Sequence, residues 1–395
     1  YGETTGTLRL STAVATPSGG EEDELVRTPL AEGLGLPADD SWVVARDIVT
    51  GLEHLWSARR LHDGGFPCRL GAYGLHCFLD FKVESSDDDH PYEQLAERLG
   101  DRGVPSIDNA LGQWVMAPVV EPLRRMTPPE LLELLAADAS FDAAADDLRE
   151  LAVTEVARLA DAAAERVGAL EQAREVERSI HIDLEAALAL GGVERTTDGV
   201  NEGRRPLAPA PSSPQEWLLV IGWILVRHLG SLDAAGDPIE RSRTLFEEWY
   251  LRAAVGDRLN ELGMPQETAQ GHAAIIDLML AADGWDSACD QLDESFAVTL
   301  RRILSSASGQ RQLGVNRHGG ELWFNGEAFE QLAAGLATTA AVTAIRGGAA
   351  EVQDRLRLIL ECVERGRAAA PESGYRVAAL LELLAGSDTT SSPER

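Results

Sequence analysis

The chain has 395 residues, enough for two or three domains with substantial cores, and its 44% hydrophobic content is ordinary for a globular protein. Against 35 basic residues stand 65 acidic ones, a formal net charge of -30. Nucleic acid and anionic membrane surfaces repel such a polyanion, so the charge argues against both as partners and favours solubility.

Residues 1–83 read as mostly β. Thr7–Ala15 alternates Leu8 and Leu10 with polar neighbours, the period of a half-buried strand. Pro17–Asp23 is a Gly- and acid-rich turn, and Trp42–Arg46 is a second apolar run. Ala58–Asp63 suits a short helix between strands. Leu75, Cys77, Leu79, Phe81 and Val83 recur every second residue, which places them on one face of a strand. Gly71 and Gly74 just before them suit a bend.

Ser85–His90 is an acidic linker, and the pattern turns helical at Pro91. Tyr92–Leu99 predicts a short helix stopped by Gly100, and Ile107–Pro118 a second. Thr127-Pro128-Pro129-Glu130 reads as a capping box with Pro128 at the first helical position. Leu148–Leu190 is the longest helical stretch, with Ala152, Val156, Leu159, Ala163, Val167 and Leu170 recurring at threes and fours; it fits one long helix or a helical hairpin. Gly191–Pro214, rich in Gly, Pro, Arg and Ser, reads as a loop. Ser213-Pro214-Gln215-Glu216 is another capping box, and it opens the nearly all-apolar run Trp217–Leu229. That run is shorter than the ~20 residues a bilayer needs and carries Arg227 and His228, so it predicts a central buried helix. Further helices are expected at about 238–262, 266–283, 286–306, 326–346, 349–368 and 373–385, before a tail from Gly386 with the composition of a disordered terminus.

The most ordered local pattern is Leu313–Leu336. Gly319-Gly320 is a tight-turn signal, and Glu321–Phe324 reads as a short strand. Asn325 suits a helix N-cap, because its amide oxygen can take an orphan N–H of the first turn. Phe324 and Phe329 then fall at the two positions of a hydrophobic staple, and Glu327 lies where the helix dipole favours a carboxylate.

This stretch resembles a block near the C-terminal end of large bacterial proteins of the α-amylase family, glycoside hydrolase family 13. There the pattern runs approximately V-N-R-[YH]-x-G-x-L-W-F-N-K-E-A-F. Val315, Asn316, Arg317, His318, Gly320, Leu322, Trp323, Phe324, Asn325, Glu327, Ala328 and Phe329 match it; Gly326 departs, lysine being usual there. A second block looks similar to the same family: Arg46, Asp47, Thr50-Gly51-Leu52-Glu53, then Gly71-Ala72-Tyr73, His76 and Phe78-Leu79-Asp80-Phe81. Gly103-Val104-Pro105-Ser106-Ile107 is a third, and roughly residues 130–215 show no match. In such proteins the catalytic barrel precedes these blocks. The resemblance therefore implies that residues 1–83 correspond to the β-sheet domain that follows the barrel.

Glycosidase chemistry needs two carboxylates across the scissile bond. The family sets them at the strand ends of a (β/α)8 barrel, and this sequence lacks eight alternating β/α units, so no catalytic residue carries over. His181-Ile182-Asp183 could suggest an acid–base pair, but residues two apart face different sides of a helix, and a packed or solvated role fits better. The remaining histidines have no metal-ligand spacing, and neither a phosphate loop nor a nucleophile elbow is present, so no metal and no cofactor is expected. Trp42, Trp56 and Trp323 lie in the resembling blocks, where flat aromatic faces could seat sugar rings; core or interdomain packing is the commoner use. Asn316, Arg317 and Asn325 complete the candidates for ligand or interdomain contact, with holding the turn the simpler role.

The four cysteines, Cys68, Cys77, Cys289 and Cys362, form no metal pattern and read as buried thiols of a reducing, cytoplasmic compartment, with a Cys68–Cys77 bridge across a hairpin as the alternative. Lys82 is the only lysine, which fits a GC-rich genome or a salt-adapted proteome equally. Residue 1 is Tyr rather than Met and no leader pattern opens the sequence, so the chain is expected to begin within a longer protein or after processing.

The expected architecture is α+β and predominantly α: a small antiparallel β-rich domain over residues 1–84, a helical region over 85–210, a C-terminal helical domain over 211–386, and a tail over 387–395. By resemblance the chain is the non-catalytic, post-barrel portion of an α-amylase-like hydrolase or glucanotransferase. Its expected partners are a catalytic barrel in the same or another chain, an α-glucan, and a second copy of itself. A stand-alone helical assembly subunit without sugar chemistry is the alternative. An exposed apolar patch within residues 1–83, where a barrel would dock, separates the two readings.

Overall fold

A computed structural model of the chain describes residues 4–11, 14–16, 24–71, 73–87, 90–197, 210–233, 235–287, 291–348 and 352–386. The turn expected at 17–23, part of the acidic linker, residues 198–209 of the 191–214 loop, Cys289 and the tail lie outside these residues. The fold is α+β and predominantly α, with a small antiparallel sheet region at the N-terminal end. The chain divides into two compact units, 1–116 and 117–395.

The first unit is built on strand β4. In chain order it contains β1 (Thr4–Leu8), β2 (Val14–Thr16), β3 (Glu24–Val26), α1 (Leu30–Gly33), β4 (Trp42–Asp47), β5 (Leu52–Ser57), α2 (Ala58–Gly64), β6 (Phe66–Leu70), β7 (Phe78–Glu84), α3 (Tyr92–Leu99) and α4 (Ile107–Val115). Strand order is β5-β4-β7 in a three-stranded antiparallel sheet, with β1-β6 and β2-β3 as separate antiparallel pairs. Successive side chains of a strand face opposite ways, so β4 feeds two cores. Val43, Ala45 and, from β5, Trp56 join Leu61 and Phe66 on one face; Val44 and Leu55 join Tyr92, Leu95, Ile107 and Leu111 on the other. Each such large side chain contributes about 1.5–3 kcal/mol when fully buried, enough to fasten both helices to the sheet.

This corrects the domain boundary expected at 85–90. Helices α3 and α4 belong to the sheet's own second core, and Val104 pairs in backbone with Glu53, so the unit runs on to Met116. Two strand expectations also change. Leu8 and Leu10 stay more than half exposed. The β4–β7 register slips between Val44, opposite Lys82, and Arg46, opposite Leu79, and Asp80 of β7 adopts a left-handed conformation, φ 54°. One extra residue in the strand breaks the two-residue alternation. Phe78 and Phe81, three apart, therefore both pack against the first core, while Leu79 and Val83 remain exposed. Cys68 and Cys77 are free thiols and only half-buried; Cys362, in the second unit, is the buried one.

The second unit is all-α but for one hairpin. It begins with α5 (Ala117–Met126), α6 (Pro129–Ala136), α7 (Phe141–Val167) and α8 (Ala173–Thr197), continues with α9 (Pro214–Arg227), α10 (Pro238–Glu248), α11 (Leu251–Glu261), α12 (Gln266–Ala273) and α13 (Ile275–Ala281), and then α14 (Leu292–Ser305) and α15 (Ala307–Gln312). The hairpin β8 (Asn316–His318) and β9 (Glu321–Trp323) precedes α16 (Gly326–Arg346), α17 (Val352–Glu372) and α18 (Val377–Gly386). Of the alternatives for 148–190, the hairpin is realised: α7 ends on Gly168, φ 73°, and α8 packs back along it. Val167 and Leu170, at that turn, are not core residues.

Helix α9 is the central buried helix, with every residue from Trp217 to Val226 buried. It packs against α6, α8, α10, α11, α13 and α16, so residues 117–197 and 210–386 share one core rather than forming two domains. Ser213 caps it through the N–H of Glu216, 3.2 Å, as the capping box predicts. The other expected box does not form. Thr127 is buried, and its hydroxyl donates to the Leu123 carbonyl at 2.8 Å, closing α5 instead of opening α6. By length and composition α16 is apolar enough to cross a membrane, but 61% of its apolar stretch is buried inside the protein.

Candidate functional site

The two parts of the second resembling block come together in the first unit around one carboxylate. Asp47 ends β4 with its side chain fully buried. Its Oδ1 accepts from the backbone N–H of Val49, 3.1 Å, and of Cys77, 3.0 Å; its Oδ2 accepts from the Thr50 hydroxyl, 2.8 Å, and from His76 Nδ1, 2.7 Å. The β4–β5 turn and the segment entering β7 are thereby tied to one group, and the Ile48 N–H adds a bond to the Cys77 carbonyl, 2.9 Å. Burial pushes the Asp47 carboxyl up, but these four donors outweigh it and hold the group below the usual carboxylate range.

The other ring nitrogen of His76, Nε2, lies 2.9 Å from the Arg69 carbonyl. The bond to Asp47, and then that to Arg69, raise the imidazole's pKa. His76 stacks on Phe78, whose edge meets Trp56, and Trp56 stacks on His54. Burial lowers the pKa of His54, against the opposing pull of Asp47. One turn further, Glu53 Oε2 accepts the Ile107 N–H at the start of α4, 2.8 Å, beside the Glu53–Val104 backbone pair. Both nitrogens of His76 and both oxygens of Asp47 are thus engaged, which makes the cluster a brace rather than an acid–base device.

Large apolar side chains beside the brace are left exposed. Ile48 and Val49 in the turn, Leu75 before His76, and Leu79 on β7 are each about half exposed or more. Leu79 sits opposite Arg46 in register, where Arg46 is the exposed residue of β4. Residues 1–83 carry nine of the seventeen large hydrophobic side chains left exposed among the described residues.

The tryptophan candidates divide. Trp56 is buried, 3% exposed, and cannot meet a ligand face. Trp42 is half-buried against the second core, on the opposite face of the sheet. Trp323 is 37% exposed, opposite Asn316 in the β8–β9 hairpin. Asn316 Nδ2 donates to the Gly314 carbonyl, 2.9 Å, Arg317 is exposed, and Asn325 Oδ1 caps α16 through the Ala328 N–H, 3.0 Å. The staple is present, with Phe324 and Phe329 ring centroids 5.3 Å apart. Asn316 and Asn325 therefore hold the turn and the helix start. Gly326, the departure from the family pattern, lies under Tyr375: a Cβ there would stand 2.5 Å from the ring's Cε1. Tyr375 is 41% exposed, and its carbonyl accepts the Phe324 N–H, 3.0 Å.

One constellation escaped the sequence reading. Asp183, on α8, is fully buried and meets Arg227 Nη1 at 3.1 Å, His228 Nε2 at 2.7 Å and Arg346 Nη1 at 3.2 Å. Arg227 also reaches Asp283, 2.9 Å, and lies over the Trp223 ring. The signal was the Arg227-His228 pair ending an apolar run: two such groups at a buried helix end require an acid partner. No group of three or more His, Cys, Asp or Glu among the described residues could hold a metal ion. The chain matches no protein-family model, no curated protein and no solved structure.

Proposed function

We propose that this chain is the non-catalytic, post-barrel portion of an α-amylase-like α-glucan-active enzyme, and that its first unit braces a catalytic barrel supplied in the same or another chain. The observation that carries this reading is the exposure of Ile48, Val49, Leu75 and Leu79, in the part of the chain where the resemblance sets the barrel's neighbour. Exposed apolar patches of this kind mark interaction surfaces. The residues of the resembling blocks support it further, because Asp47, Glu53 and Asn325 each spend their polar atoms on turns and helix starts, as a supporting domain requires. No cofactor enters this role, and the protein works in the cytoplasm, unattached to nucleic acid or membrane.

The test is expression of the chain alone and together with the α-amylase-like barrel encoded in the same or the adjacent reading frame. Alone, the chain is expected to leave maltooligosaccharides unchanged. Together, the barrel's melting temperature rises, and Ile48→Asp with Leu79→Asp abolishes the rise. Turnover by the chain alone, or a barrel indifferent to the wild-type chain, overturns the proposal.

A further inference from the structure

The second unit holds a cavity of about 400 Å³ between α9, α13, α16 and α17. Its floor is apolar: Leu219 and Val220 from α9, Met279 from α13, Leu360 and Val363 from α17. Its polar wall includes Ser213 and Gln215 at the start of α9 and Thr338 on α16. His272 on α12 is hydrogen-bonded to the side chain of Gln331 on α16, and both line the cavity together with Met264. The same three residues also line a neighbouring cavity of about 430 Å³ under α12, α15 and the start of α16. Burial lowers the pKa of His272, opposed by the Gln331 bond and by Glu216, so the ring is neutral at neutral pH.

The charges in the wall select against an anion. Glu216 and Glu364 are both present. Arg367, the one arginine among the described lining residues, is already held by Glu364 at 2.9 Å and by Glu330. The apolar floor favours a molecule with an apolar body over a fully hydrophilic one, because on that side it offers hydroxyls no partner. The volume falls in the ~300–1,000 Å³ range of small-molecule sites, and an apolar lining with a few convergent polar groups is their usual composition.

We propose that this cavity binds an uncharged amphipathic organic molecule, its ring system or chain laid on Leu219, Val220, Met279, Leu360 and Val363 and its polar group directed to His272 and Gln331. The site belongs to the second unit and does not rest on the proposed barrel docking.

The experiment titrates the full chain with N-phenyl-1-naphthylamine, an uncharged dye with an apolar body and one N–H. The control is 8-anilinonaphthalene-1-sulfonate, which carries the same body with a sulfonate. Both titrations are run at high salt, where the chain's overall negative field is screened. Saturable fluorescence enhancement by the neutral dye is expected, with at least about tenfold weaker binding of the sulfonate. Ala334→Phe on α16 and Leu360→Trp on α17 fill the cavity from facing sides, and each is expected to weaken the neutral dye at least about tenfold while circular dichroism reports a folded chain. If one variant fails to fold, the other decides. No binding of the neutral dye, equal affinity for the two dyes, or undiminished binding in a folded cavity-filled variant overturns the assignment.

Discussion

His76 donates to the Asp47 carboxylate from Nδ1, at 2.7 Å, and faces the Arg69 carbonyl from Nε2, at 2.9 Å. Both partners are acceptors, so only the doubly protonated imidazolium satisfies both contacts. The pH dependence follows from two opposite shifts. The folded carboxyl of Asp47 titrates below its usual 3.8, so its stabilisation is complete above that value and is lost as pH falls through the folded pKa. The folded imidazole of His76 titrates above its usual 6.5, so its stabilisation is complete below that value and is lost as pH rises through the folded pKa. The pair thus supports the first unit most between these limits. The His76 ring-proton resonances are expected to titrate above 6.5, and His76→Gln is expected to remove the alkaline decline in melting temperature. A wild-type midpoint at or below 6.5, or an unchanged decline in the variant, contradicts the imidazolium.

The buried acid of the second unit behaves differently because two arginines and a histidine meet it. Removing Asp183 leaves Arg227, itself 9% exposed in its side chain, with Asp283 as its remaining acid partner among the described residues. Breaking a buried ion pair from one side costs about 3–5 kcal/mol, since the remaining charge stays desolvated. Asp183→Ala is expected to lower stability by about that amount in urea titration, with an unchanged denaturant slope. Asp40→Ala, which breaks the exposed pair with Arg59, is expected to cost under about 1 kcal/mol. Similar losses in both variants would mean that the Asp183 network is solvated.

Local signals were read well from the sequence where one residue decides one structure. Ser213 before Pro214, Asn325 before α16 and Gly100 after α3 each fix a helix end through a single atom or angle, and each is found in that role. Where two distant segments compete for a residue, the pattern misleads. Thr127 has the sequence of a cap, but the hydroxyl bonds backwards because its site is buried. The run from Leu75 to Val83 alternates as a flat strand would, but the bulge at Asp80 is set by pairing with β4 and shows no local mark. The unit boundary moved for the same reason: the helical character of 92–115 was legible, and its packing on β4 was not. At the candidate site the pieces were visible as the Asp47 and His76 blocks, while their convergence on one carboxylate is a tertiary fact.

Gly191 shows the limit of reading glycine as a loop former, for it lies inside α8. A Cβ at this position would stand 2.6 Å from Phe141 Cζ and 3.1 Å from a Trp217 ring carbon, and both residues are buried. Helix propensity alone makes Gly→Ala favourable by about 1 kcal/mol. Overpacking between two fixed rings costs about 1–3 kcal/mol. Gly191→Ala is therefore expected to be destabilising, and Gly192→Ala, where a Cβ meets nothing within 4 Å, neutral or stabilising. Thermal melts of the two single variants compare them directly, and a stabilised Gly191→Ala would refute the close packing of α8 on Phe141 and Trp217.

Asn325 was a candidate both for ligand contact and for the start of α16, and the two roles respond differently to substitution. Its Oδ1 takes the Ala328 N–H at 3.0 Å, and its own N–H reaches the Leu313 carbonyl at 2.8 Å. The first bond belongs to the side chain and the second survives any replacement but proline. Asn325→Ala is expected to cost about 1 kcal/mol, the usual loss for an N-cap. Asn325→Ser, which restores an acceptor at the cap, is expected to recover most of that. Asn316→Ala, whose amide only braces an exposed turn, is expected to stay within about 0.5 kcal/mol of the parent. Rescue by serine is the decisive readout, because a hydroxyl reproduces the cap and would not reproduce a ligand contact made by the longer carboxamide.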